Sequence, residues 1–297
     1  MHSRKPTVGI LLTNFNTWDI SKRCVDACYQ HDAGNFDQVL VYDDHSSIPM
    51  NVTFPEGVEV FVAEQNLGLT KSLNIAFAKM RTDIIVLFDS DAYAVTPFCD
   101  TVRAAFTSNE NLGLLGLRTV DENGNPTESF TTEPDQWSII LGQALHAKCE
   151  KLLSDKSGRH SVFTCAMAVR KSAFMELEGF DENFDWLDLD HDFSMRVNRS
   201  KWMVEIDPTI RVFHKGGGTP QMTRKRVLRF YKNRWYLLRK YNRISAPSLA
   251  KALILFRLSV EYSVFKILGP AFIRNREVLR DKIEGRKEIR KYCFENF

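Results

Sequence analysis

The feature that most restricts the fold of this chain is an alternation, across its N-terminal third, of short apolar runs rich in β-branched residues with longer stretches of helical periodicity. Residues 7–12, 38–42, 58–63 and 83–88 have strand character, and residues 20–31 and 69–80 have helical character. Apolar runs that are continuous rather than alternating with polar residues belong to strands covered on both sides. With helices between them, they imply an α/β fold with a mostly parallel central sheet and helices on both faces. Further along, residues 162–170 have the pattern of one buried strand, residues 193–199 are helical, and residues 204–213 form a strand interrupted at Pro208. Between residues 92 and 158 the pattern weakens to a turn at 121–126 and helical character over 134–148.

Ligands of parallel α/β sheets bind beyond the carboxyl ends of the strands. Here those ends read Thr13-Asn14-Phe15-Asn16, Asp43-Asp44-His45-Ser46-Ser47, Gln65-Asn66-Leu67-Gly68 and Asp89-Ser90-Asp91. Asn, Asp, Ser and Gly are ordinary turn and capping residues, so each cluster alone says little. Four in succession imply one polar edge. The i, i+2 spacing of Asp89 and Asp91 places both carboxylates on one side of an extended chain, and hard oxygen ligands there suit Mg²⁺ or Mn²⁺ bridging a diphosphate. His214 ends a later strand and precedes Gly216, Gly217 and Gly218. Its imidazole suits Mn²⁺, and the glycines let backbone approach phosphate or move as a lid. A second acidic cluster, Asp188, Asp190 and Asp192, runs into the helix at 193–199. Asp192 is equally explained as a dipole-favourable residue at a helix start. Asp190 is the candidate general base, since neighbouring carboxylates and aromatics such as Trp186 raise a carboxyl pKa.

In order along residues 7–240, these clusters, together with Asn74, Gly179-Phe180-Asp181-Glu182 and Asp190-His191-Asp192-Phe193-Ser194-Met195-Arg196, resemble family 2 glycosyltransferases of the GT-A fold, rhamnosyltransferase-like bacterial members in particular. The resemblance implies inverting transfer of a sugar from a nucleoside diphosphate sugar to a saccharide or lipid-linked acceptor, in cell-surface polysaccharide synthesis. It implies that Thr13, Phe15, Asp43, Asp44, Asn66, Gly68 and Ser90 line the nucleotide-sugar site, that Asp89 and Asp91 engage ribose and metal, and that His214 is a late metal or phosphate contact. It also implies that Asp190 is the base. Lys71 is added as a cation near the diphosphate. The chain departs from the family pattern at Leu189, where Glu is usual, leaving Asp188 or Asp192 to supply a second carboxylate, and at His45-Ser46-Ser47, where Gly-Ser-Thr is common.

Charge divides the chain. Residues 1–214 hold 19 Lys and Arg against 31 Asp and Glu, whereas residues 215–297 hold 21 against 6. Such asymmetry points to an anionic partner for the C-terminal part. Leu228, Tyr231, Trp235 and Leu238 fall at helical spacing among basic residues, and residues 249–268 form a second amphipathic segment. Either these helices pack on the rest of the protein or they meet an anionic membrane surface. The expected division is a catalytic domain over 1–220 and a basic helical region over 221–297. No apolar run is long enough to span a bilayer, and the run at 8–12 is too short for a signal peptide. The expected location is therefore the cytoplasm, peripherally on the inner face of its membrane. The six cysteines lack metal-binding or disulfide spacing and are expected as buried thiols.

Other classes fit less well. No Gly-rich phosphate loop follows the first strand, as a nucleotidyltransferase needs, and no G-x-G-x-x-G follows any strand. A nucleic-acid-binding protein using the basic C-terminal part lacks any recognised module, and no nucleic acid partner is expected. A degenerate glycan-binding relative is expected to have lost its carboxylates, which are present.

Overall fold

A computed structural model describes residues 4–153, 159–214 and 223–297. The glycine run at 216–218 and the expected boundary after residue 220 lie outside the described residues. The chain divides into two compact units, one of Met1–Glu133 and Arg159–Gly218, the other of Pro134–Gly158 and Thr219–Phe297.

The first unit opens with β1 (Val8–Asn14), α1 (Trp18–Asp32), β2 (Gln38–Asp43), β3 (Val58–Val62), α2 (Leu69–Lys79) and β4 (Ile84–Phe88). It continues through β5 (Ala92–Ala94), α3 (Cys99–Ser108), β6 (Leu112–Val120) and β7 (Phe130–Thr132). After a segment belonging to the second unit, where α4 (Gln136–Ile140) and α5 (Gln143–Leu153) lie, come β8 (His160–Val162), β9 (Ala166–Arg170), α6 (Lys171–Glu176), α7 (Leu189–Val197) and β10 (Met203–His214). The second unit ends with α8 (Thr223–Lys240), α9 (Pro247–Ile267), α10 (Gly269–Phe272) and α11 (Arg276–Asn296).

Eight strands form one sheet in the order β3-β2-β1-β4-β9-β6-β10-β5. The ladders from β3 to β4 are parallel, as is β6 with β10, whereas β9 and β5 enter antiparallel. The mainly parallel sheet flanked by helices is the α/β architecture implied by the strand pattern. Val8, Ile10 and Leu12 of β1, with Ile84, Val86 and Phe88 of β4, join one core containing Trp18, Cys24 and Val25 of α1 and Val102 and Phe106 of α3. Alternate residues point to the opposite face. There Phe77 of α2 stacks on Phe174 of α6 at 4.0 Å, and Phe180 and Phe193 of α7 pack around them. Aromatic pairs of this kind combine large apolar burial with a preferred geometry.

Two local expectations change. The single strand at 162–170 is broken, because β8 leaves to pair with β7 in a separate two-stranded sheet while β9 enters the main one. The interruption at Pro208 is a register shift between Asp207 and Arg211 that lets β10 continue to His214.

In the second unit α9 and α11 pack closely, burying Ala250, Ile254 and Leu258 on α9 and Ile289 and Cys293 on α11. Arg257 ties the unit together. It donates to the Ile140 carbonyl at 2.7 Å, to the Tyr231 hydroxyl and to Glu261, which also accepts from Arg286 at 2.7 Å. Trp235 of α8 stacks on Phe297 at 4.0 Å.

Candidate active site

The first two strand ends are locked by their own polar residues. Asn14 is the register partner of Asp43, and its Nδ2 donates to Asp43 Oδ1 at 2.6 Å and to Ser46 Oγ at 3.2 Å. Asn14 Oδ1 accepts from Thr17 and Ser21 at 2.9 and 2.8 Å, fixing the entry to α1. Asp43 also accepts from the Ser46 amide at 2.8 Å and from the Ser46 hydroxyl. Asp44 receives the Leu67 and Gly68 amides at 2.7 and 2.9 Å, while Asn66 Nδ2 donates to the Asp44 carbonyl at 3.0 Å. Both carboxylates are buried. Gly68 precedes α2 with φ +82°, a conformation that glycine adopts without steric cost. Between these groups Thr13 is partly exposed and the Phe15 ring is 47% exposed, an apolar surface at a polar edge.

The Asp89-Ser90-Asp91 segment, all partly exposed, lies at the end of β4, where the chain turns through an Ala92 N–H to Asp89 carbonyl bond of 3.0 Å into β5. Antiparallel pairing then sets His214 of β10 opposite Ala92. This register brings residues far apart in sequence into one cluster. His214 Nε2 lies 3.6 Å from Asp91 Oδ1, and one ligand atom from each of Asp89, Asp91 and His214 falls within 4.8 Å of the others. Desolvation pushes the Asp89 carboxyl up to about 6, with His214 partly offsetting this and Asp91 adding a smaller rise. His214 is raised, first by its pairing with the Asp91 carboxylate and against the effect of its burial. Two carboxylates and one imidazole fit a Mn²⁺ or Mg²⁺ site, Mn²⁺ tolerating the nitrogen ligand better.

The second acidic cluster opens α7. Asp188 is buried with φ +67°, and its carbonyl accepts the Asp192 amide at 2.9 Å. The His191 ring approaches the Asp188 carboxylate at 4.0 Å. Asp192 is wholly buried and accepts from Arg196 Nε at 2.8 Å, while the other guanidinium nitrogens of Arg196 donate to the carbonyls of Leu177 and Gly179. Asp190 is partly exposed and accepts the His191 amide at 2.8 Å. The approach to α7 is held by α2. Asn74 exchanges hydrogen bonds with the Phe180 backbone at 2.8 and 2.9 Å, and Thr70 donates to the Phe184 carbonyl at 2.5 Å. Gly179 has φ +68°, and a Cβ there would lie 2.7 Å from Asn74 Oδ1. Lys71, on the same helix, is exposed and stands 4.0 Å from Glu182.

Cys165 is a buried thiol. It is raised well above the usual thiol range, first by burial and then by the fields of Asp89, Asp190 and Asp91. Cys165 precedes Ala166, which pairs with Phe88 at the end of β4. The structure thus gathers Asp89, Asp91 and His214, and it ties Asp43 and Asp44 to backbone amides and Asp192 to Arg196. Sequence reasoning missed Thr70. A lone helical Thr gives no signal.

Among solved structures, the chain is similar to GalNAc-T7 with UDP, GalNAc and Mn²⁺, at 15% identity and a TM-score of 0.57 over 99% of this chain. It spans 57% of that GalNAc-T7 chain. It is also similar to the mannosyltransferase PcManGT from Pyrobaculum calidifontis in complex with GDP-Man and Mn²⁺, at 13% identity and a TM-score of 0.56, covering 99% of this chain and 88% of that one. Residues 1–349 of S. aureus TarS match at 13% identity and a TM-score of 0.51, covering 98% and 92%. At these identities the likeness concerns the fold, which is GT-A. No curated protein matches by sequence. The profile described as Glycosyl transferase family 2 matches residues 10–177, more than half of the chain, and the protein therefore belongs to that family of sugar transferases.

Proposed function

We propose that the protein transfers a sugar, with inversion at the anomeric carbon, from a nucleoside diphosphate sugar to a hydroxyl of a saccharide or lipid-linked acceptor. The observation that carries this reading is the convergence of Asp89, Asp91 and His214 within 4.8 Å at the carboxyl edge of the sheet. Asp190 acts as the base. Its carboxylate takes the acceptor hydroxyl proton as that oxygen attacks the anomeric carbon, while the bond to the diphosphate oxygen breaks and its electron pair leaves with the nucleotide. Asp89, Asp91 and His214 hold a divalent cation, which when bound supplies positive charge to the departing diphosphate. Phe15 stacks on the nucleobase, and Thr13, Asp43, Asp44, Asn66 and Gly68 shape the nucleoside pocket, the buried carboxylates by holding its loops. Ser90 contacts the donor, and Lys71 stands as a cation that exchanges Glu182 for phosphate. Asp188 sets the start of α7 from which Asp190 projects.

The proposed setting is cell-surface polysaccharide synthesis in the cytoplasm, peripherally on the inner face of the membrane, with a rhamnosyltransferase-like donor preference. Nucleotide release with Mn²⁺, screened across UDP, dTDP and GDP sugars, tests the reaction. One donor should be turned over by the native chain. The Asp190→Asn variant should bind that donor and not transfer it. Full turnover by this variant removes Asp190 as the base, and retention of the donor's anomeric configuration in the product refutes inversion.

A further inference from the structure

The basic C-terminal unit contains two amphipathic helices, and the structure uses their apolar sides differently. On α8, Phe230, Tyr231, Leu237 and Leu238 are buried and Trp235 is stacked on Phe297. These side chains are occupied within the unit, where α8 packs on α11 and α4, whereas Tyr236 is exposed. On α9 one side, Ala250, Ile254 and Leu258, is buried, while Leu249, Leu253, Phe256, Val260, Val264 and Ile267 are exposed. Their spacing of three and four residues makes one continuous stripe, about 27 Å long at 1.5 Å per residue. Phe256 and Ile267 are 69% and 73% exposed, and Phe272 of α10, just beyond the stripe, is 80% exposed. An apolar patch of this extent marks an interaction surface.

Charge selects the occupant. Among the exposed residues of α9 and α10, Lys266 is the one charged side chain, and the exposed Arg274 and Arg276 follow directly. The single acidic residue of α9, Glu261, is already held by Arg257 and Arg286. A second copy seated on this stripe would bring together two segments that each carry 21 basic and 6 acidic residues. No helix among the described residues is long and apolar enough to cross a membrane. We propose that the exposed stripe of α9, continued by Phe272, lies in the headgroup region of an anionic phospholipid bilayer, with Lys266, Arg274 and Arg276 on lipid phosphates. This specifies the membrane contact in the proposed function and rests on that reading only for its purpose, bringing the active site to a lipid-linked acceptor.

The test is flotation of the full chain with phosphatidylcholine vesicles containing or lacking phosphatidylglycerol, together with nucleotide release in the absence of vesicles. The native chain should float with the anionic vesicles. The doubly substituted Phe256→Ser, Ile267→Ser chain should bind them at least tenfold more weakly, and Lys266→Gln with Arg274→Gln several-fold more weakly, all with unchanged thermal melting because the substituted side chains are exposed. Absence of flotation by the native chain, or equal flotation by the Ser variant, overturns the proposal. So does a dimer in sedimentation velocity that the Ser variant dissociates, since a second copy then covers the stripe. Nucleotide release without flotation refutes only the membrane contact, whereas flotation without nucleotide release refutes only the transferase reading.

Discussion

The carboxylates at the edge of the sheet fall into two groups that differ in what surrounds them. Asp43, Asp44 and Asp192 are buried and accept hydrogen bonds from backbone amides, Asn14 and Arg196. Asp89 lies beside Asp91 and His214, and among the described residues no hydrogen-bond donor other than this neighbourhood stabilises its charge. A carboxylate already satisfied by protein donors holds loops in place. One kept desolvated near another carboxylate is poised for a cation. Residue type alone does not separate these roles, because the deciding factor is the supply of donors.

That contrast is broken most severely at the chemistry itself. Asp190→Asn should lower turnover by about 10² to 10⁴, the usual contribution of a positioned acid or base, without loss of donor binding in calorimetry. Next, Asp192→Ala leaves Arg196 without its carboxylate, and removing one member of a buried pair costs about 3–5 kcal/mol. Urea unfolding should show this loss, and a change below about 1 kcal/mol would place Asp192 outside the scaffold group. Asp89→Asn should act in the opposite direction on the metal-free protein. A carboxyl raised from its ordinary value to about 6 favours the protonated folded state, so metal-free stability should rise as pH falls toward 6 and below. The neutral amide removes that penalty and should raise the metal-free stability at pH 7, while abolishing stabilisation by Mn²⁺. The smallest effect belongs to Lys71→Ala, whose exposed pair with Glu182 is worth less than about 1 kcal/mol to the fold. Its unfolding midpoint should be unchanged, and a larger loss would make Lys71 part of the scaffold.

The parallel strands β1, β2 and β4 are legible in the sequence because each is a buried, largely apolar run with a polar end, whereas β3, partly buried to exposed, is read from its β-branched residues. The central strand β6 is not, although it is almost wholly buried. It lacks β-branched residues over Leu112–Leu117 and contains Gly113 and Gly116, where a Cβ would approach Trp202 Cβ at 2.8 Å and Ile206 Cδ1 at 2.6 Å. Glycines that normally suggest a break are demanded here by close packing. The grouping of residues 134–158 with the C-terminal helices is likewise invisible in sequence, because it depends on distant contacts such as that of Arg257 with the Ile140 carbonyl. At the site, the polar strand ends and the candidacy of Asp89, Asp91 and His214 follow from residue type and position. The scaffolding work of Asp44 and Asp192 does not, since the Leu67 and Gly68 amides and the Arg196 guanidinium become partners only after folding.

The central claim is that Asp89, Asp91 and His214 form a single cation site on which donor binding depends. Electron paramagnetic resonance of Mn²⁺ added to the full chain, with and without the nucleoside diphosphate released in the donor screen, tests it directly. The account predicts one bound Mn²⁺ per chain in the presence of the nucleotide, lost in Asp91→Ala and weakened at least tenfold in His214→Ala. Native Mn²⁺ binding in both variants would contradict it.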